Sequence, residues 1–118
     1  MEYIINEILY IQKPLVNGQL KQLSLLLEDL DFTDVKTATQ FLKAIGDKLI
    51  PATAIILIPE GESARSKNNE KIANELEWDL SLELQIKIIE DFLSINQIVS
   101  LIDKLQGIMT LNPNLPAK

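Results

Sequence analysis

The sequence contains neither cysteine nor histidine. Without cysteine there is no disulfide and no thiolate nucleophile, and a reducing compartment suits the chain. Without histidine the commonest general base, the physiological-pH switch and the commonest metal ligand are all missing. Zinc and copper sites depend on imidazole or thiolate, so they are excluded, and only carboxylate sites for hard cations stay open. Positive charge is also scarce: 11 Lys and Arg stand against 17 Asp and Glu, a formal net charge of −6. Phosphate backbones and anionic membrane surfaces attract clustered cations, so neither nucleic acid nor membrane is expected as a partner.

Long hydrophobic runs are missing too. The longest is Ala54-Ile-Ile-Leu-Ile58, flanked by Pro51 and Pro59, far short of the roughly 20 apolar residues that cross a bilayer. No basic stretch followed by an apolar core opens the sequence, so no signal peptide is expected. The four glycines, Gly18, Gly46, Gly61 and Gly107, are scattered and make neither a phosphate-cradling loop nor a dinucleotide fingerprint. Ser63 and Ser66 lie near Arg65 and Lys67, but a serine nucleophile needs a base and no histidine can serve. The carboxylates Glu28, Asp29, Asp31 and Asp34 cluster at one turn without the calcium-loop spacing or its glycine; acidic, solvated helix ends explain them better. Glu75, Glu77, Asp79 and Glu83 read as exposed charges, and Glu90-Asp91 as outer-face residues of a helix. No catalytic, cofactor-binding or metal-binding residue is assigned, and the chain is expected not to be an enzyme.

What is abundant is aliphatic side chain. Seventeen Ile and 20 Leu occupy 118 positions, with only six aromatics. A chain of this length builds one core. So many aliphatics either fill that core or leave a surplus that marks a contact surface.

Residues 3–12 carry the β-branched and aromatic content of a short hairpin, with polar Asn6-Glu7 in the middle. Ile4, Ile8 and Ile11 at helical spacing are the competing reading; the hairpin is favoured, packed against helices because an isolated one is marginal. Leu20, Leu23, Leu27 and Leu30 form one stripe of a helix at 18–30, with Leu25 off the stripe. Thr33 or Asp34 caps the next helix, which Val35, Ala38, Phe41, Leu42, Ile45 and Leu49 carry through residue 50. Pro51 either kinks that helix or sits in the first turn of a new one at 51–58. A buried strand is the alternative for 51–58, but no second obvious strand is available to pair with it. Residues 59–69 read as a mobile loop, and Ile72, Ala73 and Leu76 predict a helix at 70–77.

Ser81 or Asp79 caps a helix to about residue 94, apolar on two stripes and therefore expected at the centre of the bundle. Asn96 caps a last helix with Ile98, Leu101, Ile102, Leu105, Ile108 and Met109 on one face. Residues 112–118 form a flexible tail. The expected fold is mainly α, a compact bundle of about five or six helices with a short N-terminal β-hairpin. It spans 1–111 as one domain. Arg65, Lys67 and Lys71 are the one local concentration of positive charge, read as a solvated linker rather than a docking loop. Trp78, the sole tryptophan, is expected in the core rather than as an interface anchor.

Residues 8–27, Ile-Leu-Tyr-Ile-Gln-Lys-Pro-Leu-Val-Asn-Gly-Gln-Leu-Lys-Gln-Leu-Ser-Leu-Leu-Leu, resemble the opening of small tail-assembly proteins of long-tailed bacteriophages and prophages. Those begin with a short strand pair, a Pro-Leu-Thr-x-Gly-Gln-like turn and a helix. Ile55-Ile-Leu-Ile-Pro-Glu-Gly61 is similar to an apolar helix end in such proteins. Leu80-Ser-Leu-Glu-Leu-Gln-Ile-Lys-Ile-Ile-Glu-Asp-Phe-Leu-Ser-Ile-Asn96 resembles their leucine-rich helix ending in Glu-Asp-Phe-Phe and Asn; here Leu93 replaces the second Phe. The resemblance implies a cytoplasmic chaperone or connector in the host bacterium. It would shield the apolar helix of a tape-measure protein and help recruit tail-tube subunits. A homodimeric helical adaptor or regulator of unrelated origin is the alternative, its surplus apolar face forming its own interface.

Overall fold

The computed structural model describes residues 1–31 and 33–97. Strand β1 (Glu2–Ile5) pairs antiparallel with β2 (Ile8–Gln12), with Tyr3 opposite Tyr10 and Ile5 opposite Ile8. Asn6 and Glu7 make the two-residue turn, and both have positive φ, 49° and 66°. Positive φ at both central residues marks a type I′ turn, whose twist matches that of the strands it joins. Side chains alternate as a pleated strand requires: Tyr3 and Ile5 face the core while Ile4 is 72% exposed.

The chain then forms five α-helices among the described residues. These are α1 (Asn17–Leu27), α2 (Ala38–Ile45), α3 (Leu49–Ile56), α4 (Asn69–Asp79) and α5 (Leu82–Asn96). A short 3₁₀ turn, Gly46–Lys48, separates α2 from α3. Directly after α3 the chain extends into β3 (Leu57–Pro59), which pairs with β2 so that Leu57 faces Gln12. The result is a mainly helical fold with a three-stranded antiparallel sheet in the order β1-β2-β3.

Several boundaries differ from the sequence reading. The second helix begins at Thr37, not at Thr33 or Asp34. Thr37 Oγ1 accepts the Gln40 N–H at 3.1 Å while Gln40 Oε1 accepts the Lys36 and Thr37 N–H groups at 2.7 and 3.2 Å. This reciprocal Thr-x-x-Gln arrangement is a capping box. The helix does not run on to residue 50: Gly46, with φ 55° and ψ −129°, takes a conformation closed to most L-residues and ends it. Pro51 occupies the first turn of α3, where its missing N–H costs nothing. Residues 51–58 therefore divide between helix and strand, because the N-terminal hairpin supplies the partner that the sequence reading lacked.

The central helix is α3 rather than α5. Ala52, Thr53, Ala54, Ile55 and Ile56 are all buried, whereas Leu82 at the start of α5 is 69% exposed. Helix α5 buries one face, Gln85, Ile88, Ile89 and Phe92, at the i, i+3, i+4, i+7 spacing. Ser81 is its N-cap, accepting the Leu84 N–H at 3.2 Å. The expected last helix after Asn96 and the tail at 112–118 lie outside the described residues. Among those described, no helix is long and apolar enough to cross a membrane.

Candidate binding groove

Four helices leave an apolar groove between them. Helix α1 contributes Leu20, Leu23, Ser24 and Leu27; α2 adds Phe41; α3 supplies Ala52, Thr53 and Ile56 as the floor; and α5 closes the far side with Ile89, Phe92 and Leu93. Leu15 and Val35 complete the ends, and the volume of this half-open groove is about 490 Å³. Among the described residues, no charged side chain lines it. Phe41 and Phe92 meet across one end with ring centroids 6.4 Å apart at 44°, within the range of favourable aromatic pairs. The floor is buried, whereas Leu20 on the rim is 51% exposed.

Buried polar side chains fix the walls. Helix α3 ends inside the protein, where its last carbonyls find no water and need other donors. Leu57 N–H bonds to Thr53 O. Lys67 Nζ donates to Ala54 O at 2.5 Å and also to Asn69 Oδ1. Gln19 Nε2 donates to Ile55 O at 3.0 Å, and its Oε1 accepts the Val16 N–H at 3.1 Å, at the start of α1. Gln19 thus ties α1 to α3, rim to floor. On the other side, Gln85 Nε2 donates to Thr53 Oγ1 at 2.9 Å, joining α5 to the same floor. Asn96 Oδ1 accepts the Leu15 N–H at 2.8 Å, and its Nδ2 donates to Phe92 O at 3.0 Å.

A second network seats the sheet on α5. The Tyr3 hydroxyl donates to Asp91 Oδ2 at 2.7 Å and accepts from Gln12 Nε2 at 2.8 Å, and the same Nε2 reaches Ile88 O at 3.3 Å. Burial, reinforced by the hydrogen bond to Asp91, holds the Tyr3 hydroxyl well above its ordinary pKa. Asp91 is buried and also pairs with Lys87 at 3.2 Å, so it is not the outer-face residue read from the sequence. It stands three positions after Ile88 in an apolar stripe, a spacing that points it inward.

Other charged candidates fall as follows. Glu28, Asp29, Asp31 and Asp34 are all exposed, and the Asp31 carboxyl is held low by hydrogen bonds from the Thr33 hydroxyl and N–H. The Arg65, Lys67 and Lys71 concentration does not form one surface: Arg65 and Lys71 are exposed while Lys67 is buried and turned into the end of α3. Burial lowers the Lys67 pKa to about 8. Trp78 reverses its expectation as well, at 88% exposed. Ile72 and Leu76 define the inward face of α4, and Trp78, two positions beyond Leu76, projects about 200° away from it. Ser63 and Ser66 bond to each other, with the hydroxyls 3.0 Å apart. Among the described residues no three His, Cys, Asp or Glu side chains converge as metal ligands would.

The three buried glutamines, Gln12, Gln19 and Gln85, were not singled out from the sequence. For two of them the signal is positional: Gln12 shares the inner strand face with Tyr10, and Gln85 lies on the Ile88–Phe92 stripe. In comparisons with known proteins, no family model, no curated protein and no solved structure matches this chain.

Proposed function

We propose that this chain is a non-enzymatic helix-binding protein that takes an apolar helix of a protein partner into the groove between α1, α2, α3 and α5. The supporting observation is the groove itself: lined, among the described residues, by uncharged and mostly aliphatic or aromatic side chains, floored by a buried helix and open along Leu20. Such a surface suits an amphipathic helix anchored at i, i+3 or i+4, and i+7. The acidic exterior keeps the protein soluble while that surface is exposed. The resemblance to tail-assembly proteins of long-tailed phages and prophages supplies the partner class. On this reading the chain is a cytoplasmic chaperone or connector holding helices of a tape-measure protein, or tail-tube subunits, during assembly.

The test is co-expression with the tape-measure protein of the same phage or prophage, followed by titration of its helical segments against the purified chain. Leu20→Asp places a charge on the rim at a half-exposed site, so folding survives while binding weakens at least tenfold. A tape-measure segment that binds equally well to the Leu20→Asp chain, or not at all to either, overturns the proposal. The homodimeric adaptor is favoured by a different observation, the exposed Trp78 and Leu82 beside the α4–α5 junction. The hairpin turn reaches this junction through Asn6 Nδ2 donating to Asp79 Oδ2 at 3.2 Å. Light scattering over a range of concentrations decides it: a dimer that Trp78→Ser dissociates supports the adaptor, and a strict monomer removes it.

A further inference from the structure

The surface around the groove is divided by charge along its length. At about 100° per residue, Lys21 and Glu28 fall on one flank of α1, next to the groove residues Leu20 and Leu27. Both are exposed, and Leu25 on the same side of the helix is 72% exposed, whereas Gln19 on the opposite flank is buried against Ile55. That flank is therefore the outer rim, with Lys21 and Glu28 about 10 Å apart along it. After Glu28, the exposed carboxylates of Asp29, Asp31 and Asp34 fill the turn between Leu27 and Val35, which mark one end of the groove. Lys36 is an exposed cation beside this turn. Lys48 gives its ammonium to Leu26 O at 2.9 Å, and Lys43 lies about 200° round α2 from Phe41. Towards the other end, exposed Lys13 stands two positions before Leu15. Glu90 on the α5 wall is about 9 Å along that helix from Asn96, the residue that bonds to Leu15, so it too lies away from the Lys13 end.

We infer that the helix this groove takes is charge-segregated, with Asp or Glu in its first turn and Lys or Arg in its last, and lies parallel to α1 with its basic end over the Glu28–Asp34 turn. The inference rests on the helix-binding function proposed above and adds the partner's polarity and direction. Apolar contacts give a groove little sense of direction, while charges at its rim fix register and orientation. A free helix is itself more stable with carboxylates at its N-terminus and cations at its C-terminus, because of its dipole. Laid parallel to α1, such a helix sets its carboxylates near Lys13 and Lys21 and its cations near Glu28, Asp29, Asp31 and Asp34. Laid antiparallel, it brings like charges together at both ends, which selects against that orientation. A uniformly acidic helix is repelled by the turn and is rejected for the same reason.

The experiment uses the full chain and three synthetic amphipathic peptides that share the same Leu and Ile anchors. One carries Glu in its first turn and Lys in its last, the second has the two exchanged, and the third has Gln at all those positions. At low salt the Glu-to-Lys peptide should bind about tenfold more tightly than the Gln peptide, from several exposed pairs acting together, and added salt should erase the difference. A nitroxide on the N-terminus of that peptide should broaden the amide signals of Leu15 and Leu20 and spare those of Leu27 and Val35. Glu28→Lys with Asp34→Lys should abolish the tenfold advantage. Glu60→Lys with Glu77→Lys, an equal change of net charge at exposed sites outside the groove, should keep it. Equal binding of the Glu-to-Lys and Gln peptides, tighter binding of the exchanged peptide, or an antiparallel seat overturns the inference and leaves the helix-binding function standing. If none of the three peptides binds, the helix-binding function falls and the inference falls with it.

Discussion

Replacing Tyr3 with Phe tests the bond that seats the sheet on α5. The lost hydroxyl donates to the buried Asp91 carboxylate at 2.7 Å and accepts from Gln12 Nε2 at 2.8 Å. A buried hydrogen bond to a charged group contributes about 1.5–3 kcal/mol, and leaving partners unpaired adds to the loss. Two features moderate the cost. Asp91 keeps Lys87 at 3.2 Å, although the Lys87 side chain is 60% exposed, and Gln12 Nε2 keeps Ile88 O at 3.3 Å. The net expectation is a loss of about 2 kcal/mol, or roughly 10 °C in Tm for a domain of this size. Tyr10→Phe is the internal control, because its hydroxyl meets Glu75 only at 3.4 Å in a partly buried setting, and it should cost under about 1 kcal/mol. Urea denaturation followed by circular dichroism at pH 7, with Asp91→Asn completing a double-mutant cycle, reads both values. If Tyr3→Phe costs no more than Tyr10→Phe, or the Tyr3–Asp91 coupling is near zero, the sheet is not anchored this way.

Glu7 holds φ 66° in the hairpin turn, a conformation glycine adopts freely, so Glu7→Gly should raise stability by about 0.5–1 kcal/mol in chemical denaturation. Gly46→Ala should do the opposite. Among the described residues no atom lies within 4 Å of a Cβ there, so a loss of about 1 kcal/mol or more would come from the backbone at φ 55°. Stability should change with pH in two directions. Lys67 titrates at about 8 in the folded chain and 10.5 ordinarily, so the unfolded state binds more protons between those values and stability rises. Tyr10 is pushed up to about 12, mainly by burial and then by the charge of Glu75, and Tyr3 is raised by burial and Asp91. The folded state therefore keeps tyrosine protons that the unfolded state loses above pH 10, and stability falls there. Denaturation midpoints from pH 7 to 11.5 check both limbs; Lys67→Met removes the rising one and Tyr3→Phe reduces the falling one.

The elements easiest to read from the sequence are those specified by local chemistry. The hairpin follows from β-branched residues around Asn6-Glu7, and the α1 stripe from leucines at helical spacing. The end of α1 at Leu27 carries no glycine or proline, so nothing local separates it from an end at residue 30. Strand β3 is illegible for the opposite reason: three apolar residues specify little, and their partner β2 lies more than 40 positions earlier in the chain. The capping box at Thr37 was present as Thr-Ala-Thr-Gln but lay behind a plausible acidic turn. Lys67 and Trp78 show the limit of residue-type expectations. The lysine goes inward because a buried helix end needs a donor, and the tryptophan goes outward because Ile72 and Leu76 already take the inner face of α4.

The groove itself is a consequence of how α3 ends. A helix that runs straight into a strand inside the core cannot use water for its final carbonyls, and leaving them bare would cost on the order of 1–3 kcal/mol each. Gln19 and Lys67 answer that need from two different segments. The positive charge of Lys67 also sits favourably at the negative end of the helix dipole. Because Gln19 meets Ile55 O through its amide nitrogen and Val16 N–H through its oxygen, the start of α1 is set at a fixed position against the floor. Gln85 ties α5 to Thr53 through its amide nitrogen. Polar contacts to the floor therefore help to fix where both walls stand. Their leucines and phenylalanine can then face a shared space without closing it, which is how so aliphatic a chain builds a core and still leaves an apolar surface open.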